Sequence, residues 1–356
     1  ASALDLKGLA LPEDRSRLPL PDLTQAAGRQ VSEMTIGEFA LIHRYFERQS
    51  LTRPDVALAI GDDCALLRVP PGQALAVTVD MLVAGIHFSA DVDPMSLGHK
   101  SLAVNLSDLA AMGAEPAWVT LAIALAEVNE LWLQEFCRGF FSLADRFQVQ
   151  LVGGDTTQGP LTISVQAHGF VPEGQALRRD GARPGDIVCV TGTLGDARLA
   201  LDGGLGGLKL SAEQRGYLRS RLERPNPRIE QGLQLRGLAS AVIDVSDGLA
   251  QDLGHVLERS GVGARLHIDH LPLSSVLRVC CRDTDQAVAL ALSGGDDYEL
   301  CFTVPPPHMS TIRKLARAWD CCCTAIGVIE VESGLRCERK DGSPFRLERL
   351  GYEHFT

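Results

Sequence analysis

Nine aspartates stand at or just after apolar runs scattered over most of the chain. Asp62 and Asp63 follow VALAIG, Asp80 follows ALAVTV, Asp108 lies in AVNLSDLAAMG, and Asp155 follows VQLVGG. Asp244 and Asp247 lie in AVIDVSDG, and Asp296 and Asp297 follow ALALSGG. Aspartate has low strand propensity and resists burial, so a strand that ends in one calls for a counter-charge. Many such ends gathered in one place would be tolerated only with cations among them. Hard oxygen ligands suit Mg²⁺ better than zinc or iron, and Mg²⁺ commonly serves nucleotide phosphates. The pattern points to a Mg-nucleotide enzyme.

Bulk properties narrow the alternatives. A chain of 356 residues is long enough for two ordinary domains. Its net charge of −11 argues against a nucleic-acid partner, which demands a basic face. No apolar run approaches the ~18 residues that span a bilayer, and no basic and apolar leader marks a secretory signal. The ten cysteines include no CxxC pair, so a zinc ribbon or thioredoxin-type site is not expected. Reduced thiols and a cytoplasmic location are expected.

Residues 1–33 are polar, proline-punctuated and weakly periodic, and Met34 follows them. They read as a disordered or appended extension outside the fold. Periodicity predicts helices over 36–49, 95–112, 130–146, 248–260 and 307–319, and a polar helical stretch over 209–224 ended by RPNPR. Strands are expected at 56–60, 74–80, 118–124, 150–152, 161–171, 187–191, 264–268, 299–304 and 324–331. Residues 287–292 fit helix or strand equally. RRDGARPGD at 178–186 is dense in Gly, Pro and charge and reads as a domain boundary. The expected organisation is an N-terminal domain over 34–177 and a C-terminal domain over 178–356. Alternation of strands and helices gives an α/β or α+β class in layers.

Several segments carry chemistry beside a plainer reading. In IGDDCALL two adjacent carboxylates at a glycine turn can hold a cation or simply form a solvated loop. In VTVDMLVAGIHF, Thr78 and Asp80 share a strand face, a common Mg²⁺ pairing, and His87 is either functional or packed between Ile86 and Phe88. In the helix GHKSLAVNLSDLAAMGAEP, Asn105 and Asp108 share a face, with Ser107 adjacent. LVGGDTTQGP offers glycines and donors to a phosphate, or a tight hairpin turn leading to 161–171. IDVSDG places Asp244 and Ser246 on one strand-end face and Asp247 at a helix start, where an ordinary N-cap explains only one of them. No P-loop, kinase catalytic-loop pair, dinucleotide fingerprint or G-x-S-x-G elbow is present.

These stretches, with GEFALIHRYF, ARPGDIVCVTGTLGDA, RPNPR, SGGDDYEL and the terminal GYEHF, closely resemble the thiamine-monophosphate kinase family. That family belongs to a superfamily with aminoimidazole ribonucleotide synthetase and selenophosphate synthetase. The resemblance runs from about Thr35 to Phe355. It implies a two-domain aminoimidazole ribonucleotide synthetase-like fold, with dimer-forming strands in the N-terminal α/β domain and a C-terminal α/β domain. It implies ATP as co-substrate, several Mg²⁺ ions, thiamine monophosphate as acceptor and a homodimer, with neither nucleic acid nor membrane as partner.

Carried over residue by residue, the resemblance makes Asp63, Thr78, Val79, Asp80, Asp108, Asp155, Asp244 and Asp247 metal ligands. Relatives commonly carry threonine at Val79, where the contact uses a backbone oxygen. Gly154, Asp155, Arg179 and Ser246 would contact ATP. His87, Asp296 and Tyr352 would contact the acceptor; position 296 is often Glu in relatives. No side chain is expected to act as catalytic base. The rival within the superfamily is an amidine-forming ligase, and SGGDDYEL and GYEHF favour the kinase. The rival of another class is a non-catalytic nucleotide-binding regulator, disfavoured by the intact carboxylates.

Overall fold

Apolar strands that alternate with amphipathic helices assemble here into two large sheets, with one long helix between them, and a separate two-stranded ribbon. The computed structural model describes residues 37–47, 51–89, 91–202 and 210–352; the expected extension at 1–33 lies outside them. The strands are β1 (Val56–Leu58), β2 (Leu66–Leu67), β3 (Gln73–Val83), β4 (Glu115–Leu125), β5 (Gln150–Gln158) and β6 (Thr162–Pro172). They continue as β7 (Ile187–Thr191), β8 (Ala241–Val245), β9 (Gly263–His267), β10 (Glu299–Val304), β11 (Cys323–Glu330) and β12 (Gly334–Glu338). The helices are α1 (Glu38–Leu41), α2 (Pro94–Ala111), α3 (Glu130–Arg146), α4 (Asp196–Asp202) and α5 (Ala212–Glu223). They end with α6 (Ile229–Leu235), α7 (Leu249–Ser260), α8 (Ser275–Cys280), α9 (Thr284–Ser293) and α10 (Met309–Leu315). Among the described residues no helix is long and apolar enough to cross a membrane.

The first sheet has the order β3-β6-β4-β5, antiparallel except for the parallel β4–β5 pair. The second has the order β12-β9-β11-β7-β10-β8. Helix α2 packs on both, touching β3 and β6 on one side and β8 on the other. It is therefore buried nearly all round, which explains its small residues. It crosses α3 at glycines: a Cβ on Gly98 would lie 2.0 Å from Phe136 O, and one on Gly139 1.8 Å from Met95 O. Asp93 caps the N-terminus of α2 by accepting from Ser96 N, and Pro94 follows as the first helical residue.

Several boundaries differ from those expected, for identifiable reasons. Strands 74–80 and 150–152 run on to Val83 and Gln158, because β6 and β4 keep pairing beyond the polar residues. Asp80 and Asp155 therefore lie within strands and not at their ends. The GGDTT segment does not form a hairpin turn to the next strand, since β4 separates β5 from β6. The helix expected over 36–49 is a short α-helix followed by a π-helical turn, Ile42–Phe46. Residues 287–292 are helical, within α9. Helices α6 and α8 and strand β12 were not foreseen; each is seven residues or fewer, too short to show a period.

One consequence concerns acid stability. His99 Nε2 donates to Pro225 O at 2.8 Å, and burial holds this imidazole's pKa below the usual 6.5. It is neutral in the fold and takes up a proton more readily when unfolded. Its contribution is thus complete above pH 6.5 and is lost as pH falls toward the depressed folded value. The stability advantage of wild type over His99→Gln should shrink between pH 7 and 5 in paired thermal melts, a subtraction that removes the carboxylates' own pH dependence.

Candidate active site

The centre of the site is where α2 meets the two sheets. Thr78 and Asp80, two apart on β3, both face α2. Thr78 Oγ1 donates a hydrogen bond to Asp108, and Asp80 N donates to Asn105 Oδ1 at 3.1 Å. From the other side of the same helix, Ser107 Oγ donates to Asp244 Oδ2 at 2.8 Å, near the end of β8. One helical turn so ties both sheets to a common group of carboxylates.

That group is short of positive charge. Burial and the neighbouring Asp108 push the Asp80 carboxyl up to about 7. Burial raises Asp108 as well, offset by the Thr78 hydrogen bond and the charge of Arg179. Asp244 is driven well above the usual range by burial, then by Asp108. Arg179 lines a cleft of about 220 Å³ with Thr78, Asp108 and Val242. Among the described residues no three acidic, histidine or cysteine side chains already stand in chelating array. The donors are nevertheless all hard oxygens, crowded and under-neutralised, and such a set fits Mg²⁺. Val79 points away, its side chain 63% exposed on the opposite face, so only its backbone could serve as a ligand.

Next to this group the chain makes a tight turn at 246–248. Asp252 accepts from Ser246 N, Asp247 N and Gly248 N, all at 3.0–3.1 Å. Burial, with Asp247 close by, pushes Asp252 up to about 7 despite those three donors. The turn is flanked on two sides: Asp296 N donates to Ser246 O at 2.8 Å, and Tyr352 N to Asp247 O at 3.1 Å. Asp296 and Tyr352, far apart in sequence, thereby meet the same turn. His87 Nδ1 accepts from Val83 N at 3.1 Å, and His87 lines a cleft of about 470 Å³ together with Lys100.

Asp63, Gly154 and Asp155 do not join this group within one chain. They line a separate cleft of about 510 Å³ with Phe39, Ile42, His43 and Phe46. Along the ladder, Asp80 pairs with Val165, Val165 with Leu121 and Leu121 with Gly154. Three strand spacings of about 4.8 Å put roughly 14 Å of sheet between Asp80 and the GGD segment. Within one chain the carboxylates therefore form two groups, Asp80, Asp108 and Asp244 in one and Asp63 and Asp155 in the other. Gly154 has φ +155°, and a Cβ there would lie 1.9 Å from Leu121 O, so only glycine fits.

Sequence reasoning passed over Lys100, Asp252 and Tyr298. Asp252 lies in the first turn of α7, where an acidic residue reads as a routine dipole partner. Tyr298 sits inside the SGGDDYEL segment already singled out, and its OH donates to Asp296 Oδ1 at 3.1 Å.

This architecture defines a class. The profiles of AIR synthase related proteins match the chain in two pieces, the N-terminal domain over residues 61–171 and the C-terminal domain over 183–340. Within that class, the chain belongs to the thiamine-monophosphate kinase family. It is 49% identical over 324 residues to thiamine-monophosphate kinase of Escherichia coli K12, covering 91% of this chain and 99% of that protein. The crystal structure of thiamine-monophosphate kinase from Stenotrophomonas maltophilia K279a superposes with a TM-score of 0.80 at 48% identity, covering 88% of this chain and 99% of that one. AaThiL complexed with AMPPCP and TMP superposes with a TM-score of 0.71 at 31% identity, covering 90% and 97%.

Proposed function

We propose that this chain transfers the γ-phosphoryl group of ATP to the phosphate of thiamine monophosphate, giving thiamine diphosphate and ADP. One observation carries the reading beside family membership: Asp80, Asp108 and Asp244 are pressed together, under-neutralised, with Arg179 at their rim. Joining two phosphates brings like charges together, so the reaction needs neutralisation and alignment more than proton chemistry. When bound, Mg²⁺ would supply that neutralisation, held by Asp63, Thr78, the Val79 backbone oxygen, Asp80, Asp108, Asp155, Asp244 and Asp247. Gly154, Asp155, Arg179 and Ser246 bind ATP. His87, Asp296 and Tyr352 orient the acceptor. The acceptor phosphate is already ionised near neutral pH, so no general base is required, and none stands out among these side chains.

The working unit in this reading is a C2 homodimer. Leu75, Val77, Val79 and Met81 alternate along the outer face of β3 and are 41–63% exposed, an apolar stripe that a single chain leaves in water. A second copy laid on that face covers the stripe. It also brings its own Asp63, Gly154 and Asp155 to the first copy's Asp80, Asp108 and Asp244, closing the 14 Å gap left along one sheet.

The direct test is release of ADP with thiamine monophosphate as acceptor, with thiamine diphosphate identified as product. No ADP release under Mg²⁺ and ATP would overturn the reading. Tyr352 gives a finer check. The residue is 41% exposed, and its backbone is tied to the turn at Asp247. Tyr352→Ala should raise the KM for thiamine monophosphate roughly 5- to 30-fold through lost cation–π contact with the thiazolium, with the KM for ATP nearly unchanged. An unaltered KM for thiamine monophosphate in the folded variant removes Tyr352 from the acceptor site.

A further inference from the structure

Lys100 carries a charge on α2 yet is only 3% exposed. Its Nζ meets Asp296 Oδ1 at 2.9 Å, and among the described residues that carboxylate is its one ionic partner. An ammonium carries three N–H donors, and donors left unfilled in a buried place are costly. The lysine lines the 470 Å³ cleft that also holds His87, Ser96 and Arg219. On the far side of Asp296, Tyr298 shares the same carboxylate oxygen and feels the negative charges of Asp80 and Asp244. The Lys100–Asp296 pair therefore stands between the open cleft and the carboxylate group where phosphoryl transfer is placed.

The backbone around the pair is held under strain. Asp296 and Tyr298 have φ +66° and +50°, the left-handed region that non-glycine residues avoid. Their neighbours act as anchors. Asp297 Oδ2 accepts from Gly195 N at 2.8 Å, and Glu299 is gripped by Arg228 through two bonds of 2.6 Å. Alternate side chains fix the segment from below, so Asp296 and Tyr298 are presented upward. Such strain persists only where the surroundings enforce it, and it concentrates at ligand sites.

We propose that Lys100 binds the phosphate of the acceptor, leaving Asp296 to face the positively charged ring of the same molecule. The inference rests on thiamine monophosphate being the acceptor. That molecule carries an anionic end and a cationic ring. A buried ion pair that opens and receives it trades one internal contact for two complementary ones, and no net charge is left stranded. The site thereby selects the phosphorylated vitamin over the unphosphorylated one.

The test compares thiamine monophosphate with thiamine, which lacks the phosphate. Calorimetry measures affinity for both in wild type, Lys100→Met and Lys100→Arg, and ADP release gives the KM values for thiamine monophosphate and ATP. Lys100→Met should lose roughly 10- to 100-fold in affinity for thiamine monophosphate, with affinity for thiamine unchanged or raised, because Asp296 no longer has an ion pair to give up, and the KM for ATP within about twofold of wild type. Lys100→Arg, which keeps a charge, should retain most of the preference, and it carries the test if the methionine variant does not fold. A preference for the phosphorylated ligand unchanged in Lys100→Met, or abolished in a folded Lys100→Arg that still binds thiamine, overturns the assignment. A wild-type protein that does not phosphorylate thiamine monophosphate overturns the underlying reading instead, and the two failures are read from different samples.

Discussion

Asp108→Asn is expected to lower phosphoryl transfer by about 10²- to 10³-fold while leaving the melting temperature unchanged or raised. The two effects part company because of where the carboxylate sits. Asp108 is one of three acidic groups forced together without a full complement of cations, and its charge raises both Asp80 and Asp244. Asparagine removes that repulsion and keeps an oxygen to accept the Thr78 hydrogen bond. Nothing of the shape of α2 changes. What would be lost is the charged oxygen proposed to hold Mg²⁺ beside the phosphates, a loss felt only during turnover. Thermal melts in the absence of nucleotide, set against initial rates at saturating ATP, separate the two. Parallel loss of stability and rate would mean that Asp108 is a structural residue.

Val77→Glu is expected to yield a folded monomer with at least about 100-fold less activity. In a single chain the position is 52% exposed, so a charge there costs the isolated fold little. In a symmetric dimer the same face meets its own copy, and two unpaired carboxylates are buried together, a penalty of several kcal/mol. The loss of activity follows from geometry: without a second copy, Asp155 stays about 14 Å along the sheet from Asp80, with Asp63 in the cleft beside Asp155. Light scattering and rate measurements at the same concentration give the answer. A monomer with full activity would show that one chain is sufficient.

The sequence made the chemistry more legible than the topology. Thr78 and Asp80 were readable as a pair because a strand's period of two is strict, and both do face α2. Asn105 and Asp108 were readable from helical spacing. The apolar runs located most strands, and Ile187–Thr191 and Glu299–Val304 fall where expected. Strand order was not legible, because pairing is set by contacts distant in sequence. That is why a hairpin turn stood open beside the phosphate reading of GGDTT, and why the separation of the carboxylates into two groups was not foreseen. Lys100 was hidden for a different reason. A lone lysine on an alanine-rich helix reads as a solvated charge until tertiary contacts bury it against Asp296. Asp252 was hidden likewise, since its three backbone donors come from a turn whose shape no local pattern specifies.

The central claim is that two half-sites at opposite edges of the N-terminal sheet are joined across a dimer to make thiamine diphosphate. The most direct measurement uses a heterodimer purified through two different tags, with Asp108→Asn in one subunit and Asp155→Asn in the other. Each homodimeric variant should be nearly inactive. In the heterodimer one site receives both altered residues and the other neither, so about half the wild-type rate of thiamine diphosphate formation should return. A heterodimer as inactive as its parents would contradict the account, because it would place Asp108 and Asp155 of the same chain in the same site.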